Sequence, residues 1–77
     1  MRIISQDHVI NYNVIAKNSD LFSKIETELY NKYEEYKYSE NFFVVNGTKV
    51  NRNLSLKDNK IKTNDVLELI IYDVENI

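Results

Sequence analysis

The stretch that decides the fold is Asn41-Phe42-Phe43-Val44-Val45-Asn46-Gly47-Thr48-Lys49-Val50. β-Branched and aromatic residues fill its first half, which is typical of a β-strand. Asn46-Gly47 then favours a two-residue type I′ turn, because both central residues of that turn need a positive φ, which Asn and Gly tolerate. Thr48 to Val50 begins a return strand, so the stretch predicts a β-hairpin.

An amphipathic helix is predicted upstream of this hairpin, over roughly residues 20–36. The segment Asn18-Ser19-Asp20 supplies residue types that commonly cap a helix N-terminus. Behind it the apolar residues recur at helical spacing, on a face formed by Phe22, Ile25, Leu29, Tyr33 and Tyr36. The two tyrosines are therefore interpreted as packing residues of the core or its edge.

Three further strands complete the predicted order β-β-α-β-β-β. Residues 1–6 and 12–16 alternate around a polar turn, which predicts an N-terminal hairpin, and Val66 to Tyr72 is a last strand. Between the hairpins, residues 51–60 form a polar loop that Leu54 and Leu56 can pin to the core. The apolar residues are best accommodated if the first and last strands lie parallel at the centre of a mixed four- to five-stranded sheet. With the helix on one face, this is an α+β fold of the β-grasp type.

Composition limits the class of protein. We expect residues 1–77 to form one small domain, since 43% of them are hydrophobic, which suffices for a core. The net charge of -2 argues against a nucleic-acid binder, and no apolar run approaches the roughly 20 residues of a membrane span. Met1 to Asp7 is too short and polar for a signal peptide, and Cys is absent, so we expect a cytoplasmic protein.

No pattern in the sequence indicates catalysis, a metal site or a cofactor site. His8 is the only His, no other residue type suggests a metal site with it, and nothing pairs it with a particular Ser. One Gly cannot form a phosphate-binding loop. We therefore expect no enzyme, no cofactor and no small-molecule substrate.

The element order and two segments resemble ubiquitin and its superfamily, over residues 1 to about 72. Phe43 to Val50 resembles the family's strand, Gly turn and short return strand. Leu54 to Leu69 is similar to the family's loop of pattern Thr/Ser-Leu-x-Asp-x-x-Ile, which leads into the last strand. Ser19-Asp20 ahead of Phe22 is similar to the family's capped helix.

The chain departs from the conjugated members of that family. Their Gly-Gly end threads into activating enzymes, whereas residues 72–77 form a tail without Gly, and no Gly follows Gly47. The family's basic rim around its binding face is also expected to be missing, with Glu68 in place of a cation. The resemblance implies a non-conjugated protein-interaction domain whose partner tolerates or complements an acid. The alternatives are a small accessory subunit of a larger complex, such as a secretion system, and a conjugated modifier.

The sheet face away from the helix is the candidate binding surface. The core is assigned to Met1, Ile3, Tyr12, Val14, Phe22, Ile25, Leu29, Phe43, Val45, Val50, Leu56, Ile61, Leu67, Leu69 and Ile71. The opposite face then carries Ile4, Phe42, Val44, Val66, Ile70 and Tyr72, interrupted by Arg2, Gln6 and Glu68. The resemblance places Val44, Ile70 and Gly47 in the family's recognition patch and His8 in the loop that completes it. A second domain covering this face, or β-propensity without any role, remains open.

Overall fold

The computed structural model describes residues 1–72, which form a mixed five-stranded sheet and an α-helix. The elements are β1 (Arg2–Ser5), β2 (Asn11–Asn13), α1 (Phe22–Lys32), β3 (Asn41–Val45), β4 (Thr48–Lys49) and β5 (Val66–Ile71). A 3-10 helix at Glu34–Tyr36 follows α1. Of the predicted tail over residues 72–77, residues 73–77 lie outside the described residues.

The strand order across the sheet is β2-β1-β5-β3-β4. β1 and β5 pair in parallel at the centre, with Arg2 opposite Val66 and Ser5 opposite Leu69. The other strand pairs are antiparallel. The predicted α+β class, with one helix and the first and last strands as parallel neighbours in a mixed sheet, is confirmed.

The deciding hairpin forms as its sequence predicts. Asn46 and Gly47 have φ values of 50° and 79°, the left-handed backbone that a two-residue type I′ turn requires. The turn sets Val45 opposite Thr48 and Val44 opposite Lys49. Nothing lies within 4 Å of a Cβ built on Gly47, so the need for glycine there comes from backbone conformation and not from space.

The core lies between α1 and the inner face of the sheet. Phe22 of the helix and Phe43 of β3 meet edge to face, with ring centroids 4.9 Å apart. The predicted core residues found buried are Ile3, Val14, Phe22, Ile25, Leu29, Phe43, Val45, Val50, Leu56, Ile61, Leu67 and Leu69. Met1, Tyr12 and Ile71, also predicted there, pack against its rim and are only partly buried.

The helix differs from its prediction at both ends. Its N-cap is Leu21, without a side-chain cap, because the Asp20 carboxylate instead accepts a hydrogen bond from Lys17 N at 2.9 Å. The chain leaves the helix at Tyr33, and Tyr36 reaches the core from the 3-10 helix. None of the helices in residues 1–72 is long and apolar enough to cross a membrane.

Two loop predictions are correct only in part. Ile10, expected in a polar turn, is buried because the turn folds back on Ser5, whose hydroxyl accepts a hydrogen bond from Ile10 N at 2.8 Å. β2 is consequently earlier and shorter than the predicted strand over residues 12–16, and Ala16 is exposed. In the 51–60 loop, Leu56 is buried as expected but Leu54 is exposed. Backbone hydrogen bonds from Leu56 N to Asp20 O and from Phe22 N to Leu54 O also hold that loop.

Candidate protein-binding face

The sheet face away from α1, here called the outer face, is organised around one row of side chains. Strand register places Ile4 opposite Glu68, Glu68 opposite Val44, and Val44 opposite Lys49. We call these four residues the central row. It runs across β1, β5, β3 and β4, and it alternates apolar and charged side chains.

The apolar part of the outer face is contiguous and shallow. Val44 and Ile70 are diagonal neighbours on adjacent strands, because Phe42 stands opposite Ile70. Tyr72 extends the patch, with its ring centroid 5.1 Å from that of Phe42, and it is 48% exposed. Mutual covering leaves Ile4, Phe42, Val44 and Ile70 partly buried, whereas Val66 is half exposed.

Charged side chains flank this patch, and two of them, Arg2 and Lys49, are cations. Arg2 stands opposite Val66, and Lys49 stands opposite Val44 with its Nζ 5.2 Å above the Phe42 ring. Glu68 is exposed between the two cations. The ion pairs within residues 1–72 join Lys24 to Asp20 and Arg52 to Glu26, so none of these three outer-face charges forms an ion pair there.

Lys49 is the outer-face residue that sequence reasoning missed. Its position follows from the turn, because a two-residue loop at Asn46-Gly47 necessarily pairs Val44 with Lys49. Counting outward from the turn would therefore have placed a cation beside the predicted patch.

His8 and Gly47 border the outer face at opposite ends of the sheet. Gly47 lies in the exposed β3–β4 turn, close to Val44 in sequence and register. His8 lies in the exposed turn after β1 with a φ of 64°, and its N–H donates to Ser5 O at 3.0 Å. The two residues therefore do not form one cluster, although both lie at the margin of the face.

A polar cluster around Asp7 ties the β1–β2 turn to the 3-10 helix. The Ser5 hydroxyl donates to Asp7 Oδ1 and the Tyr36 hydroxyl to Asp7 Oδ2, both at 2.5 Å. The bond from Ser5, followed by that from Tyr36, lowers the pKa of Asp7. Burial, followed by the bond to the Asp7 carboxylate, raises the pKa of Tyr36 to about 12. These shifts accompany a structural contact between two loops.

A second polar cluster links α1 to β3 and the following loop. The Tyr30 hydroxyl donates to Glu26 Oε2 at 2.6 Å and lies 3.2 Å from Asn41 Oδ1, and burial raises the pKa of Tyr30 to about 12. Arg52 donates from Nη2 to Asn41, and its Nε lies 3.1 Å from Glu26 Oε2, poorly aimed for a hydrogen bond. The guanidinium covers the Phe43 ring at 5.4 Å. This cluster therefore covers the edge of the core beside Phe43.

Neither cluster brings together the ligands of a metal site in the part of the chain that the structure describes. Within residues 1–72, no group of at least three His, Asp and Glu side chains converges in a way that could hold a metal ion. An apolar cavity of about 190 Å³ lies between Val14, Ile15, Leu56 and Ile61. It is smaller than the roughly 300–1,000 Å³ typical of small-molecule sites, whereas three other surface depressions, of about 410, 510 and 650 Å³, fall within that range.

No protein-family model matches this sequence, and no curated protein is significantly similar to it.

Proposed function

We propose that this chain is a non-catalytic protein-interaction domain of the ubiquitin-like β-grasp type, which binds a protein partner through the outer face. The sheet order β2-β1-β5-β3-β4, with its parallel central pair and a helix between the two hairpins, supports this fold type. The observation that carries the function is that the centre of the outer face is apolar. On a sheet face exposed to solvent, polar side chains would be expected at these positions.

The apolar outer face resembles the centre of a protein-binding surface in composition. Aromatic and aliphatic side chains, Phe42, Val44, Ile70 and Tyr72, form its middle, and the exposed charges of Arg2, Lys49 and Glu68 surround or interrupt it. Interfaces commonly combine such an apolar centre with a polar rim.

The decisive experiment compares two adjacent valines of β3 that face opposite ways. Val44→Asp should abolish partner capture from the source cell, while its thermal melt stays close to that of the wild type, because an outer-face side chain keeps access to water. Val45→Asp should unfold the domain, since Val45 is buried and an unpaired charge there costs several kcal/mol.

Ser23→Asp is the matched control for added charge, because Ser23 is an exposed residue of α1, on the other side of the molecule. It should neither reduce capture nor lower the melting temperature. Capture that persists unchanged with a well-folded Val44→Asp variant would refute the proposed use of the outer face. A large fall in the melting temperature of that variant would show that Val44 carries structure and not recognition.

A further inference from the structure

The central row has a charge pattern that is complementary to itself. Glu68 and Lys49 lie on either side of Val44, one strand away in each direction, at the same height on the sheet. Both are exposed, and neither takes part in an ion pair within residues 1–72. Consider a rotation of 180° about an axis that lies above Val44 and runs parallel to β3. This rotation places the acid of one copy over the base of the other.

We infer that the outer face binds a second copy of this chain, in a twofold dimer whose axis runs along β3. This inference rests on the proposed use of the outer face for protein binding. The same rotation that stacks Val44 on its own copy sets Glu68 of one protomer against Lys49 of the other, and Lys49 of the first against Glu68 of the second. Such isologous pairing is the commonest symmetry of homo-oligomers.

The apolar and electrostatic properties of the outer face fit this occupant. Phe42 lies on β3 beside Val44, so the apolar side chains nearest the axis would be buried against their own copies, as between two stacked sheets about 10 Å apart. A net charge of -2 per chain opposes association only weakly. A partner of a single charge sign, in contrast, would leave either Glu68 or Lys49 facing a like charge.

The expected affinity is modest, because the twofold stacks only a few apolar side chains, Phe42 and Val44, on their own copies. Interfaces below about 1,200 Å² of total buried surface are typical of weak complexes. Self-association should therefore be sought over a range of roughly 10 μM to 1 mM, by sedimentation equilibrium and by concentration-dependent amide shifts in NMR spectra. The shifts should concentrate on β3, β4 and β5, and association should weaken as salt is added, since salt screens exposed ion pairs.

Charge exchange tests the geometry of the pairing. Glu68→Lys alone and Lys49→Glu alone each place like charges across the twofold axis, and each should weaken dimerisation at least tenfold. The double variant Glu68→Lys/Lys49→Glu restores opposite charges in both pairs and should recover dimerisation to within a few-fold of the wild type. Thermal melts at a concentration where the chain is monomeric should be similar for all four proteins, because both sites are exposed.

Three outcomes would overturn the inference: a chain that stays monomeric at every concentration, single variants that dimerise as tightly as the wild type, or a double variant that stays as weak as the single variants. The proposed function has a separate readout. A monomeric chain that still captures a partner through Val44 disproves the dimer and leaves the proposed function standing. A charge-rescued dimer without other capture identifies the partner as a second copy.

Discussion

The two faces of the sheet are built from similar residues and have different consequences. On the inner face, Ile3, Leu67 and Leu69 are fully buried under α1. On the outer face, Ile4, Val44 and Ile70 are also aliphatic strand residues, and they retain contact with water. Residue type therefore does not separate core from surface in this domain. The difference is made by the helix, which covers only one face.

Truncation of two adjacent side chains of β5 should give the largest difference in stability between the two faces. Leu67→Ala should lower the free energy of unfolding by about 2–5 kcal/mol, because it leaves a cavity in a core where Leu67 is fully buried. Val66→Ala removes a side chain that is half exposed and should cost about 1 kcal/mol or less. Urea unfolding followed by circular dichroism measures both. Equal losses would contradict the assignment of the two faces.

The polar rim of the inner face allows a finer comparison. Arg52→Met keeps an aliphatic stem over Phe43 but leaves Glu26, whose side chain is 13% exposed, without its cation. We expect a loss of about 1–3 kcal/mol, because a mostly buried acceptor is left without its charged partner. Adding Glu26→Gln should recover part of that loss in a double-mutant cycle of urea unfolding energies. Strictly additive losses would mean that the two side chains are energetically independent.

The smallest expected effect concerns Tyr36 and the Asp7 carboxylate. Tyr36→Phe should cost about 1 kcal/mol at neutral pH, since the carboxylate that loses the bond can turn to water. In the folded chain the pKa of Tyr36 and of Tyr30 is about 12, above the value near 10 of an unfolded chain. Between those values the unfolded state binds fewer protons, so stability falls as pH rises from about 10 to about 12. Tyr36→Phe should make that fall less steep.

The acid side of the same titration has the opposite sign and serves as its control. Because the pKa of Asp7 is lowered in the folded chain, its contribution is present above the unfolded pKa of about 4 and is lost as pH falls through the folded value. Tyr36→Phe removes one cause of that lowering and should move the loss toward higher pH. Urea unfolding at a series of pH values checks both limbs. Unchanged slopes on both would show that the bond between Tyr36 and Asp7 contributes little.

The outer-face tests extend the comparison from stability to binding. The free energy of unfolding of a domain this small is only a few kcal/mol. If the domain tolerates Val44→Asp, residues of the outer face can be substituted without unfolding it. The inner face has no such freedom. The Glu68 and Lys49 exchanges use the same freedom to test association alone.

Local sequence determined the elements and most of the core. Asn46-Gly47 specified the hairpin because few residues tolerate its backbone, and apolar spacing identified Phe22, Ile25 and Leu29 as the buried side of a helix. These are short-range effects of backbone sterics and side-chain periodicity. They also identified which strand residues share a face.

Only the tertiary structure decided the features that depend on contacts between distant segments. Leu21 became the N-cap because the 51–60 loop and Lys17 engage Asp20, and Ile10 entered the core because Ser5 closes its turn. The central row likewise exists only where β1, β5, β3 and β4 are in register, which aligns residues up to 64 apart in sequence, since Ile4 and Glu68 are neighbours. Periodicity within a segment cannot specify such alignments, because they arise from hydrogen bonds and packing between segments.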